Sequence, residues 1–87
     1  MCLKESMRFL PVVASTPFRI VPQGGKSVLG YHLPEGTKVA IPIYSLHRSP
    51  AIWEDPDSFI PERWQSLKLG PCDYLPFLMG PRACAGK

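Results

Sequence analysis

Apolar Leu3, Met7 and Leu10 recur at three- and four-residue intervals among good helix formers, which predicts a helix over residues 1–10 that Pro11 ends. No Ser, Thr or Asp cap stands before it, so the helix is expected to have a longer N-terminal part upstream. From Phe18 the pattern shortens to extended pieces: Phe18 to Val21, a turn at Gln23-Gly24-Gly25-Lys26, then Ser27 to Leu33, together a predicted β-hairpin. Leu33-Pro34-Glu35-Gly36 has Pro second and Gly fourth, as a type I turn prefers. Lys38 to Ile43 then alternates, with Val39, Ile41 and Ile43 on one face, and predicts a half-buried strand that Pro42 confines to a sheet edge or an end. Ser49-Pro50 is a cap followed by an N1 proline, and Asp55-Pro56 is a stop, so a helix of barely two turns is expected between them. Pro61, Gly70 and Pro71 among polar residues make Asp57 to Asp73 an expected surface meander without packed elements. The fold class predicted is an irregular α+β.

Composition narrows the picture. Proline supplies 11 and glycine 7 of the 87 residues, which leaves little room for long helices. A chain of this size buries only about 60% of the surface its unfolded form exposes, so its stability alone should be marginal. The net charge of +3 comes from basic residues scattered from Lys4 to Lys87, without a block, and does not indicate nucleic acid as a partner. The apolar runs are far shorter than the ~20 residues that span a bilayer. The Lys4, Glu5 and Arg8 charges replace the apolar run of a signal peptide. Three cysteines, Cys2, Cys72 and Cys84, with no C-x-x-C pair, suit a reducing compartment, and His32 and His47 lack metal-ligand spacing.

The chemistry gathers at the end. Phe77, Gly80, Arg82, Cys84 and Gly86 fill every fixed position of F-x-x-G-x-R-x-C-x-G. Average residue usage gives roughly 1 in 40,000 odds of a chance match. This segment resembles the haem loop of the cytochrome P450 family. The resemblance implies that Cys84 is the axial iron ligand, as a thiolate that pushes electron density toward O–O cleavage. Gly80 and Gly86 would let backbone lie close to a flat porphyrin and take positive φ. Arg82 offers a planar fork of donors for a haem propionate, and Phe77 would pack beside the sulfur. Taken singly, each cysteine is a small buried hydrophobe, and that reading stands for Cys2 and Cys72.

Two further motifs are similar to the same family. Glu5-Ser6-Met7-Arg8 looks like its E-x-x-R helix, and Pro61-Glu62-Arg63-Trp64 like its P-E-R-[FW] element, whose arginine joins the pair in a buried triad. One carboxylate between two guanidiniums leaves excess positive charge that demands further acceptors. Arg19 falls where the family often sets a second propionate-binding arginine, with an exposed strand arginine as the competing reading. His47 is expected to pack rather than to ligate iron.

The resemblance covers nearly the whole chain and divides it into the end of the E-x-x-R helix (1–10), a β-hairpin region (18–43), a short helix and meander (49–75) and the haem-binding cysteine loop (76–87). It implies a parent that is mainly α, an O2-dependent monooxygenase with haem b. Its electrons would come from NADPH through NADPH–cytochrome P450 reductase or a similar donor, and its substrate would be a small organic molecule. It would sit on the cytosolic face of the endoplasmic reticulum membrane, although this chain shows no anchor. No acidic residue adjoins a threonine on a long helix, since Thr16 and Thr37 fall in the loop and hairpin region. The chain is therefore expected to be cut short on both sides, to bind haem weakly and to oxidise nothing. A non-catalytic relic, or a small interaction protein from a truncated gene, is the alternative.

Overall fold

The computed structural model describes residues 1–14 and 17–87, and Thr16 lies outside the described residues. Helix α1 spans Cys2–Phe9, and its last turn closes with the Leu10 N–H donating to the Ser6 carbonyl at 2.9 Å before Pro11. Its buried residues are Glu5 and Arg8, not Leu3 or Met7, so this helix docks by its charged face.

The extended pieces pair differently from the predicted hairpin. Strand β1 (Arg19–Ile20) pairs antiparallel with β4 (Lys38–Val39), Arg19 opposite Val39 and Ile20 opposite Lys38. Nested between them, β2 (Lys26–Val28) pairs with β3 (Tyr31–Leu33), Ser27 opposite His32. Ser27 to Leu33 is therefore not one strand but two, folded over Leu29 and Gly30 at φ 49° and 82°, the paired positive angles of a tight type I′ hairpin turn. The turn before it closes one residue earlier than predicted, with the Gly25 N–H donating to the Pro22 carbonyl at 3.1 Å, and it connects two sheets. The next turn is also displaced: the Thr37 N–H donates to the Pro34 carbonyl at 3.3 Å, which puts Gly36, at φ 81°, third, where a type II turn needs it.

Gly25 is fixed by its surroundings. Its φ is +78°, and a Cβ there would stand 2.8 Å from both the Leu33 carbonyl oxygen and the His32 ring. Gly24 has φ +88° but nothing within 4 Å of that position. Gly24→Ala is expected to cost about 1 kcal/mol for the left-handed backbone alone. Gly25→Ala should cost about 1–2 kcal/mol more, because backbone must also shift. Urea denaturation of the two variants measures the difference.

Beyond β4 the alternation breaks. Val39 and Ile41 are exposed, and Ile43, 2% exposed, starts the one-turn helix α2 (Ile43–Leu46) instead of ending a strand. The helix expected from Ser49-Pro50 is a single turn, in which the Ile52 and Trp53 N–H groups both donate to the Ser49 carbonyl. The meander is packed after all: Pro61–Gln65 forms a 3₁₀ helix against α1. Among the described residues apolar burial is confined to Val21, Ile43, Trp53 and Leu75, while the largest fully buried side chains are Trp53, Arg8, His47 and Glu5. The radius of gyration, 15.0 Å, exceeds the roughly 12 Å of a compact domain this long, so the chain forms an elongated slab around a largely polar centre.

Candidate functional site

At that centre Glu5 is a hub. Its Oε2 accepts from Arg8 Nε at 3.0 Å and its Oε1 from Arg8 Nη2 at 2.7 Å, the two-pronged pairing that an i,i+3 spacing allows on one helix face. The 3₁₀ helix brings Arg63, whose Nε donates to Oε1 at 3.1 Å, and Trp64, whose indole N–H donates to Oε2 at 2.9 Å. The Ile60 N–H adds a bond to Oε1 at 2.9 Å. Burial alone would push this carboxyl's pKa up. The bonds from Arg8, Ile60 and Trp64, and the charge of Arg8, outweigh it and hold the pKa at about 2. The excess positive charge is met by carbonyls. Arg8 donates to those of His47, Pro56 and Ser58 at 2.9, 2.8 and 3.0 Å. Arg63 donates to those of Glu54, Asp55 and Ser58.

An aromatic layer of Trp53, Trp64 and Tyr74 closes this knot, with Trp64 and Tyr74 edge to face at 4.8 Å between centroids. The Tyr74 hydroxyl donates to the Lys4 carbonyl at 3.2 Å. Next in sequence, Leu75 is buried, and its N–H donates to His47 Nε2 at 3.0 Å. His47 itself is fully buried, as a packing residue would be. The knot, the aromatic layer and the residue leading into the cysteine loop are thus one bonded unit. Trp64, Tyr74 and His47 were not read as part of the knot from sequence; their signal is an aromatic body carrying a polar tip, which needs a partner when buried.

The loop then turns sharply. Leu78 has φ +58°, a strained angle for a branched side chain, and Gly80 has φ +81°. The Cys84 N–H reaches back to the Phe77 carbonyl at 2.8 Å and closes the loop on itself, while the Gly86 N–H points at Cys84 Sγ at 3.4 Å. Gly86 does not share the positive φ expected of both glycines; a Cβ there would lie 3.6 Å from the same sulfur. Phe77 and Cys84 line one apolar cleft with Val13, Ile43, Leu75 and Leu78. Leu75 and Leu78 continue into an adjoining cleft, where Arg19 stands beside Val39, Ile41 and Met79. Arg82 and Arg19 are both exposed, and among the described residues Arg19 donates only to its neighbour Phe18's carbonyl. All three cysteines are exposed, so the reading of Cys2 and Cys72 as small buried hydrophobes fails.

The arrangement fits a flat, apolar, anionic-edged metal group. An exposed sulfur with a backbone N–H aimed at it lies on an apolar cleft, the glycine at φ +81° has open space where a Cβ would stand, and two exposed guanidiniums can meet carboxylates.

The family model described as Cytochrome P450 matches residues 1–87. Cytochrome P450 monooxygenase tpeC of Talaromyces stipitatus is 40% identical over 90 residues, which cover 99% of this chain and 18% of that protein. Rat cytochrome P450 3A18 is 42% identical, covering 99% and 18%. Among solved structures, retinoic acid bound cyanobacterial CYP120A1 superposes with a TM-score of 0.86 at 31% identity over 98% of this chain and 20% of that one. A zebra fish cytochrome P450 structure with abiraterone gives 0.81 at 32%, covering 98% and 19%. The chain spans about a fifth of the length of these relatives.

Proposed function

Because the chain belongs to the cytochrome P450 family, we propose that residues 76–87 hold haem b through Cys84 Sγ, as part of an O2-dependent monooxygenase. One observation supports this most: an exposed sulfur lies on an apolar cleft beside Phe77 with the Gly86 N–H directed at it. Haem would supply the O2-activating iron chemistry, and Cys84 would hold that iron as an electron-donating thiolate. The residues here bind and shield. Cys84 is held by its own N–H bond to Phe77, so the sulfur's place is set by backbone. Phe77, Leu75 and Leu78 present apolar surface that excludes water from the sulfur side. Arg82 and Arg19 are the propionate partners, each able to pair bidentately with a carboxylate. Glu5, Arg8 and Arg63 are structural, a triad that fixes the loop's base. Electrons come from an NADPH-dependent reductase or a similar donor, and the substrate is a small organic molecule. The likeness to fungal and rat relatives supports a place on the cytosolic face of the endoplasmic reticulum; among the described residues no helix is long and apolar enough to cross a membrane.

Titrating haem in excess into the chain and recording the ferrous carbonyl absorption tests this reading. The bound fraction is expected to show the thiolate type of spectrum. A spectrum of imidazole ligation, which exposed His32 could provide, or no bound fraction at all, overturns it.

A further inference from the structure

We propose that His47 is the positioning residue for the cysteine loop, holding Leu75, the residue that leads into it, through Nε2 while its own carbonyl is held by Arg8, and that it can do so only as the neutral imidazole. The geometry is a two-sided clamp. On one side Arg8 Nη1 donates to the His47 carbonyl at 2.9 Å, and on the other the Leu75 N–H donates to Nε2 at 3.0 Å. Between them the ring is fully buried, tilted over Tyr74 at 5.3 Å and edge-on to Trp53 at 6.4 Å. A nitrogen that accepts an N–H bears no proton, so the single ring proton is on Nδ1, which has no partner in hydrogen-bond geometry among the described residues.

A second proton would have to enter at Nε2, where it would meet the Leu75 N–H head on. The Met7 carbonyl favours it, but the titratable groups around the ring offer it no compensation. From α1 come Arg8, a cation, and Glu5, already accepting from two arginines; from the segment before the loop comes Tyr74, whose hydroxyl donates to the Lys4 carbonyl. On its own segment Arg48 is paired with Asp57 at 2.8 Å. Burial, with Arg8 adding to it and the Met7 carbonyl opposing, lowers the His47 pKa from its ordinary 6.5. A depressed histidine contributes stability that is complete above that ordinary value and is lost as pH falls below it toward the folded-state value. The clamp thus releases the base of the loop on acidification. From the haem reading this takes only the importance of the loop; the bond itself is a property of the polypeptide.

Amide hydrogen exchange at Leu75, read by NMR on the haem-free chain, tests it. Between about pH 7.5 and about pH 5.5, after correction for intrinsic rates, protection at Leu75 is expected to fall about tenfold, while the Ile60 amide, bonded to Glu5, keeps its protection. His47→Gln keeps an acceptor that does not titrate, so it should retain Leu75 protection and abolish the pH step. His47→Phe keeps a ring without an acceptor and should lack the protection at both pH values. A Leu75 amide unprotected at neutral pH in the unaltered chain, protection that survives in His47→Phe, or loss at Ile60 in step with Leu75 overturns the proposal. No measurement involves haem, so failure here is separate from failure of the ligation reading.

Discussion

Glu5→Gln is expected to lower folding stability by about 3–5 kcal/mol, the cost of removing one partner from a buried ion pair. Five donor groups converge on this carboxylate, from Arg8 twice, Arg63, Ile60 and Trp64. The amide replaces one acceptor oxygen by an NH2 that faces donors, and it leaves Arg8, fully buried, with carbonyl partners only. A chain with so few buried apolar side chains has little stability to spare, so the variant should be largely unfolded where the unaltered chain is folded. Circular dichroism under urea measures this. The same group sets the acid limit. Its carboxyl is held at about 2 against an ordinary 4.5, a gap worth about 3 kcal/mol. A depressed carboxyl contributes stability that is complete above its ordinary value and is lost as pH falls from there through about 2. Acid unfolding in that window is expected in the unaltered chain, followed by circular dichroism. A signal unchanged across it would show that the carboxylate is not the acid-sensitive element.

How much of this was legible in the sequence depended on how local the signal was. Helix α1 could be read because its period and its Pro11 stop lie within a dozen residues, although its buried side is the charged one. The family membership and the mixed α/β character were legible from motifs whose residue order is itself the signal. Strand pairing was not. Strands of two or three residues, exposed on both faces, carry no alternation, and β1 finds its partner across the whole intervening hairpin. The hairpin turn was hidden because Leu29, not Asn or Asp, takes the first positive φ. Val39, Ile41 and Ile43 alternated convincingly, yet of the three Ile43 alone is buried, since the backbone leaves the sheet after Val39 and coils into α2 beyond Pro42. His47 illustrates the remaining gap: its partner lies 28 residues away, and no spacing rule connects a lone histidine to a backbone amide.

Cys84→Ser should abolish thiolate-type ligation outright, whereas Cys2→Ser and Cys72→Ser should leave it intact. The comparison is informative because all three thiols are exposed and so equally open to iron on access alone. They differ in surroundings. Cys72 Sγ lies 3.8 Å from Met79 Sδ, and Cys2 begins α1, whereas the Cys84 sulfur adjoins the apolar cleft and receives the Gly86 N–H. A backbone donor stabilises the anionic sulfur, and an apolar wall limits competition from water, so selectivity among the three follows from the loop rather than from the thiol. Serine preserves volume and the backbone bond to Phe77, but its hydroxyl does not ionise near neutral pH, so the iron loses its anionic ligand with little change in the fold. Haem affinity should fall by more than the about 10–100-fold that loss of an outer-shell partner costs, because here the ligand itself is removed. Circular dichroism should stay unchanged, which separates lost ligation from lost structure. If Cys72→Ser removed the thiolate spectrum and Cys84→Ser did not, the sulfur beside Met79 would be the ligand, and the cleft beside Phe77 would need another explanation.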